Sequence, residues 1–296
     1  EKLKPVSMPA FCYFPTKEDT KLHFVVHAPF LLTDSREGIK AGEEYNRELI
    51  SKLARLAADA LPCLRSIGDE MGVRIIDDDI LSIVPFDDRE FSAVYDKSRI
   101  SFMPFYTEMM DSLVNGLLPT KDGYTDRDHA FWSYTIDINS LFSDEQISLL
   151  FAQEDSHWVF CSKPRHAFDA YGKAAVRCYI DDIVNNWYDE TDIFDSIDGD
   201  FIKQQSFEWL HRFYKWIADT PRRFSDLKST PIFINADGEA AAAYDESGSK
   251  TLFLPSAEVK DCPTVNPELL QNGETASFLR DVVKLEEPSL QDYIYN

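Results

Sequence analysis

The N-terminal part of the chain contains two different hydrophobic patterns. Apolar and aromatic residues dominate positions 11–14 and 22–30, and polar residues fill most of positions 16–21 between them. This pattern predicts two strands joined by a short turn. From Glu43 onwards, apolar residues recur every three or four positions, which is typical of one long amphipathic helix. Pro62 lies within that apolar stripe and lacks a backbone donor, so we expect it to kink the helix or to end its regular part.

The rest of the chain favours further helices, after one short strand predicted over 80–86. Helical spacing recurs over 102–118, 167–188 and 201–218. Ser143-Asp-Glu-Gln146 has the spacing of a capping box, in which the serine and glutamine side chains satisfy backbone donors at the start of a helix. These patterns predict that the later part of the chain is mainly helical.

Two Asp-Gly pairs interrupt the helical pattern where a chain reversal is expected. Asp122-Gly123 lies in a turn-forming stretch, and Asp237-Gly238 follows a strand predicted over 231–235, with its returning strand over 251–254. Asp-Gly readily adopts the positive φ of a tight turn. We therefore predict a β-hairpin at each pair.

Length and composition fit a folded protein of two domains. The chain has 296 residues, of which 44% are hydrophobic and 13% aromatic, enough to bury a core that offsets the entropy of folding. The mixture of strand and helix patterns predicts an α+β fold. We expect a first α/β domain over residues 1–97 and a second, mixed but mainly helical domain over 98–296 that carries both Asp-Gly hairpins.

The charge of the chain argues against two classes of partner. Lys and Arg number 30 against 52 Asp and Glu, which gives a net charge of −22. This field repels nucleic-acid backbones and anionic lipid surfaces, and no apolar run reaches the roughly 18 residues that span a bilayer. We expect no nucleic-acid and no membrane partner, although the charge alone would also suit an acidic mimic of nucleic acid. Five scattered cysteines without a CxxC pair indicate reduced thiols and a cytoplasmic protein.

The sequence contains no complete enzyme or metal site. Gly numbers only 11, and glycine-rich phosphate loops, a GxSxG elbow and an HExxH motif are missing. His23 and His27 would lie about 13 Å apart on a strand, too far for one metal ion. The acidic stretch 189–200 fails the register of a calcium-binding loop, and Asp77-Asp78-Asp79 is interpreted as a solvated turn. We predict no metal site in this chain.

One short motif lies between the predicted strand and the long helix. Asp34-Ser35-Arg36-Glu37 follows apolar residues directly and opens onto the helix. An arginine at such a junction can reach outward to an anion through its planar guanidinium group. The alternative is an ordinary surface ion pair of Arg36 with Glu37, Glu43 or Glu44.

This motif and its surroundings resemble a known group of proteins. The strand over 23–30, Leu-Thr-Asp-Ser-Arg-Glu-Gly-Ile at 32–39 and Asn46-Arg47 on the long helix resemble the middle, transducer segment of the ninety-kilodalton heat-shock chaperones. They resemble more closely the large sacsin-like bacterial ATP-binding proteins of the same GHKL ATPase superfamily. Four later stretches are also similar to the sacsin-like group: Pro119-Thr-Lys-Asp-Gly123, Gln205-Ser-Phe-Glu-Trp-Leu210, Pro231-Ile-Phe-Ile234 and Phe253-Leu-Pro255.

The resemblance implies a fold, a site and a partner. It implies a two-layer βαβ domain of ribosomal-protein-fold type over residues 1–97. In the chaperones, the arginine of a Ser-Arg-Glu at this place reaches the γ-phosphate of ATP held by the preceding domain. By this resemblance Arg36 is the expected catalytic residue, and Arg36 and Ser35 are the expected nucleotide contacts.

The nucleotide-binding half of that family has no counterpart in this chain. The partner implied for Arg36 is therefore an N-terminal nucleotide-binding domain of a longer protein, which would bring ATP and Mg²⁺. We expect this chain to hold no cofactor of its own, and to take part in ATP hydrolysis only within the longer protein.

Two functions from different classes follow. The first is coupling of ATP binding or hydrolysis to conformational change, with Lys17 or Lys40 as a supplementary cation. The second is a protein-interaction module without a nucleotide role, in which aromatic residues of the later part of the chain meet an unknown partner or client. The same rings have the spacing of an ordinary helical core. They are Trp187, Tyr188, Trp209, Phe213, Tyr214 and Trp216.

Overall fold

The computed structural model of the chain describes residues 4–84, 91, 99–133, 136–160, 180, 183–257, 259 and 262–289. Helices and short strands alternate along it, so the fold is α+β, as the sequence predicts. None of the described helices is both long enough and apolar enough to cross a membrane. The chain divides into two compact units, the first comprising Glu1–Trp132 and His157–Trp187 and the second comprising Ser133–Ser156 and Tyr188–Asn296.

In the part of the first unit that the structure describes, the main elements are one long helix, a second helix and three small sheets. Its described elements are β1 (Pro9–Cys12), β2 (Phe14–Asp19), α1 (Glu44–Met71), α2 (Met103–Val114), β3 (Asn115–Pro119), β4 (Tyr124–Asp126), β5 (Ala130–Trp132), β6 (His157–Trp158) and β7 (Asn186–Trp187), with a 3₁₀ turn at Asp78–Ser82. β1 pairs antiparallel with β2, and β3 with β4, while β5 lies between β6 and β7 in a parallel sheet.

The long amphipathic helix is confirmed as α1. Its buried stripe, which includes Ile50, Ala54 and Leu61, packs mainly against α2. The helix runs past Pro62, which does not end it, and stops at Gly72. Gly72 adopts a left-handed conformation with φ 64°, a conformation that glycine tolerates and that commonly closes helices.

The first pair of strands differs from the prediction. The polar stretch 16–21, predicted as a turn, lies mostly within β2. The stretch 22–30 forms no strand, although it joins β1 through a bridge between Phe11 and His27. The reason is an early reversal at Tyr13, which has φ 65° and turns the chain directly after β1.

Three further expectations fail in the region after α1. Residues 80–84 lie in and just after the 3₁₀ turn rather than in a strand. The helix predicted over 102–118 ends at Val114, because the chain enters the β3–β4 hairpin there. The units also do not follow the boundary expected after residue 97, since α2 lies beyond it and packs along α1.

Both predicted hairpins exist. Asp122-Gly123 lies in the turn between β3 and β4, although neither residue has a positive φ. In the second unit β8 (Phe233–Ile234) pairs with β9 (Ala240–Ala241) around Asp237-Gly238, where Gly238 has φ 82°. The returning strand therefore comes earlier than the predicted stretch 251–254.

The second unit is mainly helical. The helix predicted over 167–188 falls mainly in the first unit and mostly outside the described residues, and its predicted end is wrong because Asn186–Trp187 forms β7. The helix predicted over 201–218 is divided into two, because the Ser206 side chain caps a new start by accepting from the backbone of Trp209. The capping box of Ser143 and Gln146 is confirmed. The helices are α3 (Ile136–Leu141), α4 (Asp144–Leu150), α5 (Glu190–Ser196), α6 (Gly199–Lys203), α7 (Phe207–Ala218), α8 (Pro221–Leu227) and α9 (Gly273–Ser277), with a 3₁₀ turn at Pro267–Gln271 and a π-helical turn at Phe278–Val282.

The core of the second unit is aromatic and centres on α7. Trp209, Phe213, Tyr214 and Trp216 are all buried. The Trp209 indole donates a hydrogen bond to the Leu141 carbonyl at 2.8 Å, and the Tyr214 hydroxyl donates to a backbone carbonyl at 2.8 Å. Burial raises the pKa of Tyr214 well above its usual range. These four rings are core residues, so they do not present a surface to a partner.

Candidate functional site

Arg36 lies at the tip of a closed loop that precedes α1. Leu32 and Ile39 form an antiparallel bridge that closes the loop. Within it, the Thr33 N–H donates to the Gly38 carbonyl at 2.9 Å, and the Arg36 N–H donates to the Thr33 carbonyl at 2.8 Å. Arg36 is thus placed on an exposed loop tip. The expected strand-to-helix junction at Arg36 is wrong, because residues 22–30 form no strand, whereas α1 begins at Glu44, next to its predicted start.

The Arg36 side chain is exposed, and its acidic neighbours are paired with lysines. Glu37 lies 2.7 Å from the Lys17 ammonium, and Asp34 lies 3.5 Å from the Lys40 ammonium. No carboxylate in the described part of the chain forms an ion pair with the Arg36 guanidinium. The alternative of a surface ion pair for Arg36 is therefore not realised. This loop presents a cation that is available to an external anion.

Ser35, the second predicted site residue, makes its hydrogen bonds within the loop. Its hydroxyl lies 3.2 Å from the Thr33 hydroxyl and accepts the Glu37 N–H at 3.4 Å. The side chain is exposed but stabilises the turn. Of the two predicted nucleotide contacts, Arg36 has the freer side chain. Lys17 and Lys40, the predicted supplementary cations, are both engaged in the ion pairs described above.

Arg36 is part of the lining of an open groove of about 780 Å³. Most of the lining is apolar, and it includes Tyr13 and Phe14, whose exposed fractions are 80% and 78%. Two consecutive aromatic residues exposed to this extent are unusual in a soluble fold. The groove therefore combines a free guanidinium group with a large accessible apolar surface. The remaining lining residues are Cys12, Pro15, Phe30, Leu31, Leu32, Thr33 and Asp34.

The groove is bordered by two residues with unfavourable backbone conformations. Tyr13 and Arg36 have φ of 65° and 59°, in the left-handed region that side chains other than glycine rarely adopt. Such conformations cost about 1–3 kcal/mol each and occur preferentially at functional sites. At Tyr13 the conformation is held by its N–H, which donates to the His27 ring nitrogen Nε2 at 3.2 Å. Both strained residues direct their side chains into solvent.

Asn46 anchors the loop to α1. Its side chain is fully buried, at 0% exposure. The amide nitrogen Nδ2 donates to the carbonyls of Leu31 and Lys40, each at 2.9 Å, and the Oδ1 oxygen accepts the Leu31 N–H at 2.9 Å. One side chain in the first turn of α1 thus holds both ends of the loop that carries Arg36. A polar residue on the buried face of an amphipathic helix was the available signal in the sequence, where Asn46 lies one turn before Ile50.

The other side of the loop contacts β2. The Lys17 N–H donates to the Glu37 carbonyl at 2.6 Å, and the Ile39 N–H donates to Oε2 of Glu18 at 3.3 Å. These bonds add to the Lys17–Glu37 ion pair. The loop is therefore fixed between α1 and the β1–β2 hairpin.

The acidic stretches are largely used in local structure. Asp189 and Asp198 cap the starts of α5 and α6 by accepting from backbone N–H groups. Asp77, Asp78 and Asp79 bring carboxylate oxygens within 4.8 Å of one another, and Asp77 accepts the Asp79 N–H at 2.9 Å in the 3₁₀ turn. Asp78 is buried, so the interpretation of this turn as fully solvated is wrong for that residue. Neither stretch adds to the groove at Arg36.

His23 and His27 do not come together at a metal site. The His23 ring nitrogen Nδ1 lies 2.8 Å from the Ser82 carbonyl, whereas His27 accepts from Tyr13. Each histidine therefore has a separate structural contact.

No protein-family model, curated protein or solved structure matches the chain.

Proposed function

We propose that this chain is the middle, transducer-type segment of a sacsin-like ATP-binding protein, and that Arg36 contacts the terminal phosphate of a nucleotide held by another domain. The observation that carries the proposal is the exposed Arg36 guanidinium, which has no carboxylate partner among the described residues although four acidic residues lie within eight positions of it. A cation kept free in a chain with a net charge of −22 needs an explanation. Contact with an external anion provides one.

The chemistry of the guanidinium group suits a phosphate. Arginine offers a planar fork of N–H donors that matches phosphate oxygens, and it keeps its charge at any physiological pH. A guanidinium supplied from a second domain stabilises the charge that develops during phosphoryl transfer. It also makes the contact between the domains depend on the nucleotide. Arg36 would act in this way as a catalytic residue and as a sensor.

The rest of the nucleotide site would belong to the other domain. The groove lining offers no cluster of carboxylates for Mg²⁺ among the described residues, and its polar part is confined to Thr33, Asp34 and Arg36. ATP and Mg²⁺ would therefore arrive bound to an N-terminal nucleotide-binding domain. The described residues supply a single contact to a phosphate, together with an apolar surface beside it.

That apolar surface suits the same partner. A domain that presents a phosphate to Arg36 has to approach the groove, and Tyr13 and Phe14 line the same groove. Aromatic residues contribute strongly to protein interfaces when they are buried on association. The proposal assigns β1, β2 and α1 to the domain that meets the nucleotide-binding domain. It also places the protein in the cytoplasm, where the free thiols of Cys12, Cys63 and Cys262 would stay reduced.

The test is ATP hydrolysis by the longer protein that contains this chain. Arg36→Ala is expected to lower turnover by one or more orders of magnitude while ATP affinity stays within a few-fold of the wild type, as for other arginine fingers. Lys40→Ala is the matched control, because Lys40 is a nearby cation that is already paired with Asp34. Equal turnover of the wild type and the Arg36→Ala variant would exclude the proposal.

The second candidate function is a protein-interaction module without a nucleotide role. It is favoured by the exposure of Tyr13 and Phe14, which would serve a protein partner equally well in the absence of ATP. The two functions differ in their dependence on Arg36. If a partner binds the groove equally tightly with and without nucleotide, and Arg36→Ala has no effect on turnover, the second function is favoured.

A further inference from the structure

Asn46 holds the loop that carries Arg36 at both of its ends. Two carbonyls, those of Leu31 and Lys40, accept from the same Nδ2 group at 2.9 Å, and the Leu31 N–H donates to Oδ1 at 2.9 Å. The backbone adds a further link, because the Lys40 N–H donates to the Leu31 carbonyl at 2.9 Å. All hydrogen-bonding positions of the Asn46 amide but one are thus used at the base of one loop.

The base and the tip of the loop differ in their surroundings. Asn46 is fully buried, whereas the Lys17–Glu37 ion pair at the tip has side chains that are 75% and 55% exposed. A buried and satisfied polar side chain is costly to disrupt, whereas an exposed ion pair contributes little and is screened by salt. The side-chain contacts of the loop are therefore buried at its base and exposed at its tip, where a backbone hydrogen bond from the Lys17 N–H to the Glu37 carbonyl adds to the ion pair.

We propose that Asn46 is a positioning residue that fixes the base of the 32–39 loop, so that Arg36 moves with the first turn of α1. This inference rests on the proposed function for its purpose, since a fixed base is useful if Arg36 has to meet a phosphate at a defined place. Rigid support of a reacting group by buried hydrogen bonds is a general requirement of such sites. A displacement at the start of α1 is then transmitted directly to Arg36.

The proposal is tested on the 296-residue chain by amide hydrogen exchange and limited tryptic cleavage. In the unchanged chain, the Leu31 and Lys40 amides at the base should exchange at least tenfold more slowly than the Glu37 amide at the tip. This comparison needs no variant. If Leu31 exchanges as fast as Glu37, the base is not fixed and the proposal is overturned.

Two variants then separate the contacts of Asn46. Asn46→Asp keeps an acceptor for the Leu31 N–H but replaces the donor to both carbonyls by a carboxylate oxygen, so tryptic cleavage after Arg36 should accelerate about tenfold or more. Asn46→Ala removes all three hydrogen bonds of the side chain. Hydrogen exchange of the Leu31 amide should then be at least tenfold faster than in the unchanged chain. Ser51→Asp is the matched control, because it adds the same charge to an exposed position of α1 that does not touch the loop.

The cleavage, exchange and kcat measurements together distinguish the positioning role of Asn46 from the proposed nucleotide role of Arg36. Faster cleavage and exchange confined to the loop, with unchanged exchange in the buried part of α1, support a positioning role. Equal effects of Asn46→Asp and Ser51→Asp overturn it. In the longer protein, Asn46→Asp should lower kcat for ATP without changing KM. A loosened loop with unchanged kcat would contradict the nucleotide role of Arg36 but not the anchoring by Asn46.

Discussion

The Lys17 ammonium lies 2.7 Å from the Glu37 carboxylate, and this contact removes the nearest acidic neighbour from Arg36. On the other side, the Lys40 ammonium lies 3.5 Å from the Asp34 carboxylate. The two lysines leave the arginine between them without a carboxylate partner in the described part of the chain. The site therefore depends on the two lysine–carboxylate pairs as well as on Arg36, because these pairs engage the two nearest acidic side chains.

The Lys17–Glu37 pair should contribute little to stability. Both side chains are more than half exposed, and exposed pairs of this kind are typically worth about 0.2–1 kcal/mol. Lys17→Ala is expected to change the free energy of unfolding by less than about 1 kcal/mol, measured by urea denaturation. The backbone bond from Lys17 to Glu37 is kept in this variant. A loss of several kcal/mol would show that the loop tip is part of the stable core.

The strain at Tyr13 should be visible in a pair of substitutions. Glycine adopts a positive φ without a steric penalty, whereas alanine at φ 65° keeps most of the strain. Tyr13→Gly is expected to be more stable than Tyr13→Ala by about 1 kcal/mol, because both lose the same ring but only glycine relieves the backbone. Thermal or urea unfolding measures the difference. Alanine as stable as glycine would contradict the strained conformation.

In the second unit, the ion pair of Arg223 with Glu190 should be important for stability. The Arg223 side chain is only 10% exposed, it makes two hydrogen bonds to Glu190 at 3.1 Å and 2.6 Å, and its guanidinium carbon lies 4.3 Å from the centroid of the Trp216 ring. Removing one partner leaves a largely buried charge without its counterion. Glu190→Gln is expected to cost about 3 kcal/mol, measured by urea unfolding. The exposed pair of Arg222 and Asp226 provides a control, where Asp226→Asn should cost less than about 1 kcal/mol.

The Asp126 carboxyl should titrate below its ordinary value of 3.8. Desolvation raises its pKa, but the hydrogen bonds from the His129 ring and from the backbone N–H groups of His129 and Asp128 lower the pKa by more. The depressed pKa means that these bonds stabilise the fold above pH 3.8, and that their contribution is lost as the pH falls through the folded-state pKa. His129→Gln should therefore raise the Asp126 pKa, as followed by NMR of the carboxyl carbon. An unchanged pKa would exclude the ring as a major cause.

The sequence predicts α1 and α7 as amphipathic helices, because their apolar residues repeat at helical spacing over several turns. It fails at β2, where a single residue, Tyr13, reverses the chain by adopting a conformation that its type does not indicate. It also fails at Ser206, where one cap divides a continuous apolar pattern into two helices. Local backbone choices of this kind depend on tertiary contacts, such as the bond from Tyr13 to His27.

The candidate site was predicted in part. Arg36 could be singled out from Asp34-Ser35-Arg36-Glu37, and its exposure agrees with an outward role. The groove could not be anticipated, because Tyr13 and Phe14 are more than twenty positions away in sequence and were expected inside a strand. The anchoring by Asn46 depends on three contacts with backbone atoms, which no spacing of residue types reveals.

Chemical rescue of the Arg36→Ala variant in the longer protein tests the central claim most directly. If a guanidinium group at this position stabilises the phosphate during hydrolysis, the low turnover of the variant should rise several-fold when guanidinium ion is added at millimolar concentration, and not when sodium chloride is added at the same concentration. The wild-type protein should show no such increase. Full turnover in the variant before any addition, or the same response to both salts, would contradict the assignment of Arg36 to the phosphate.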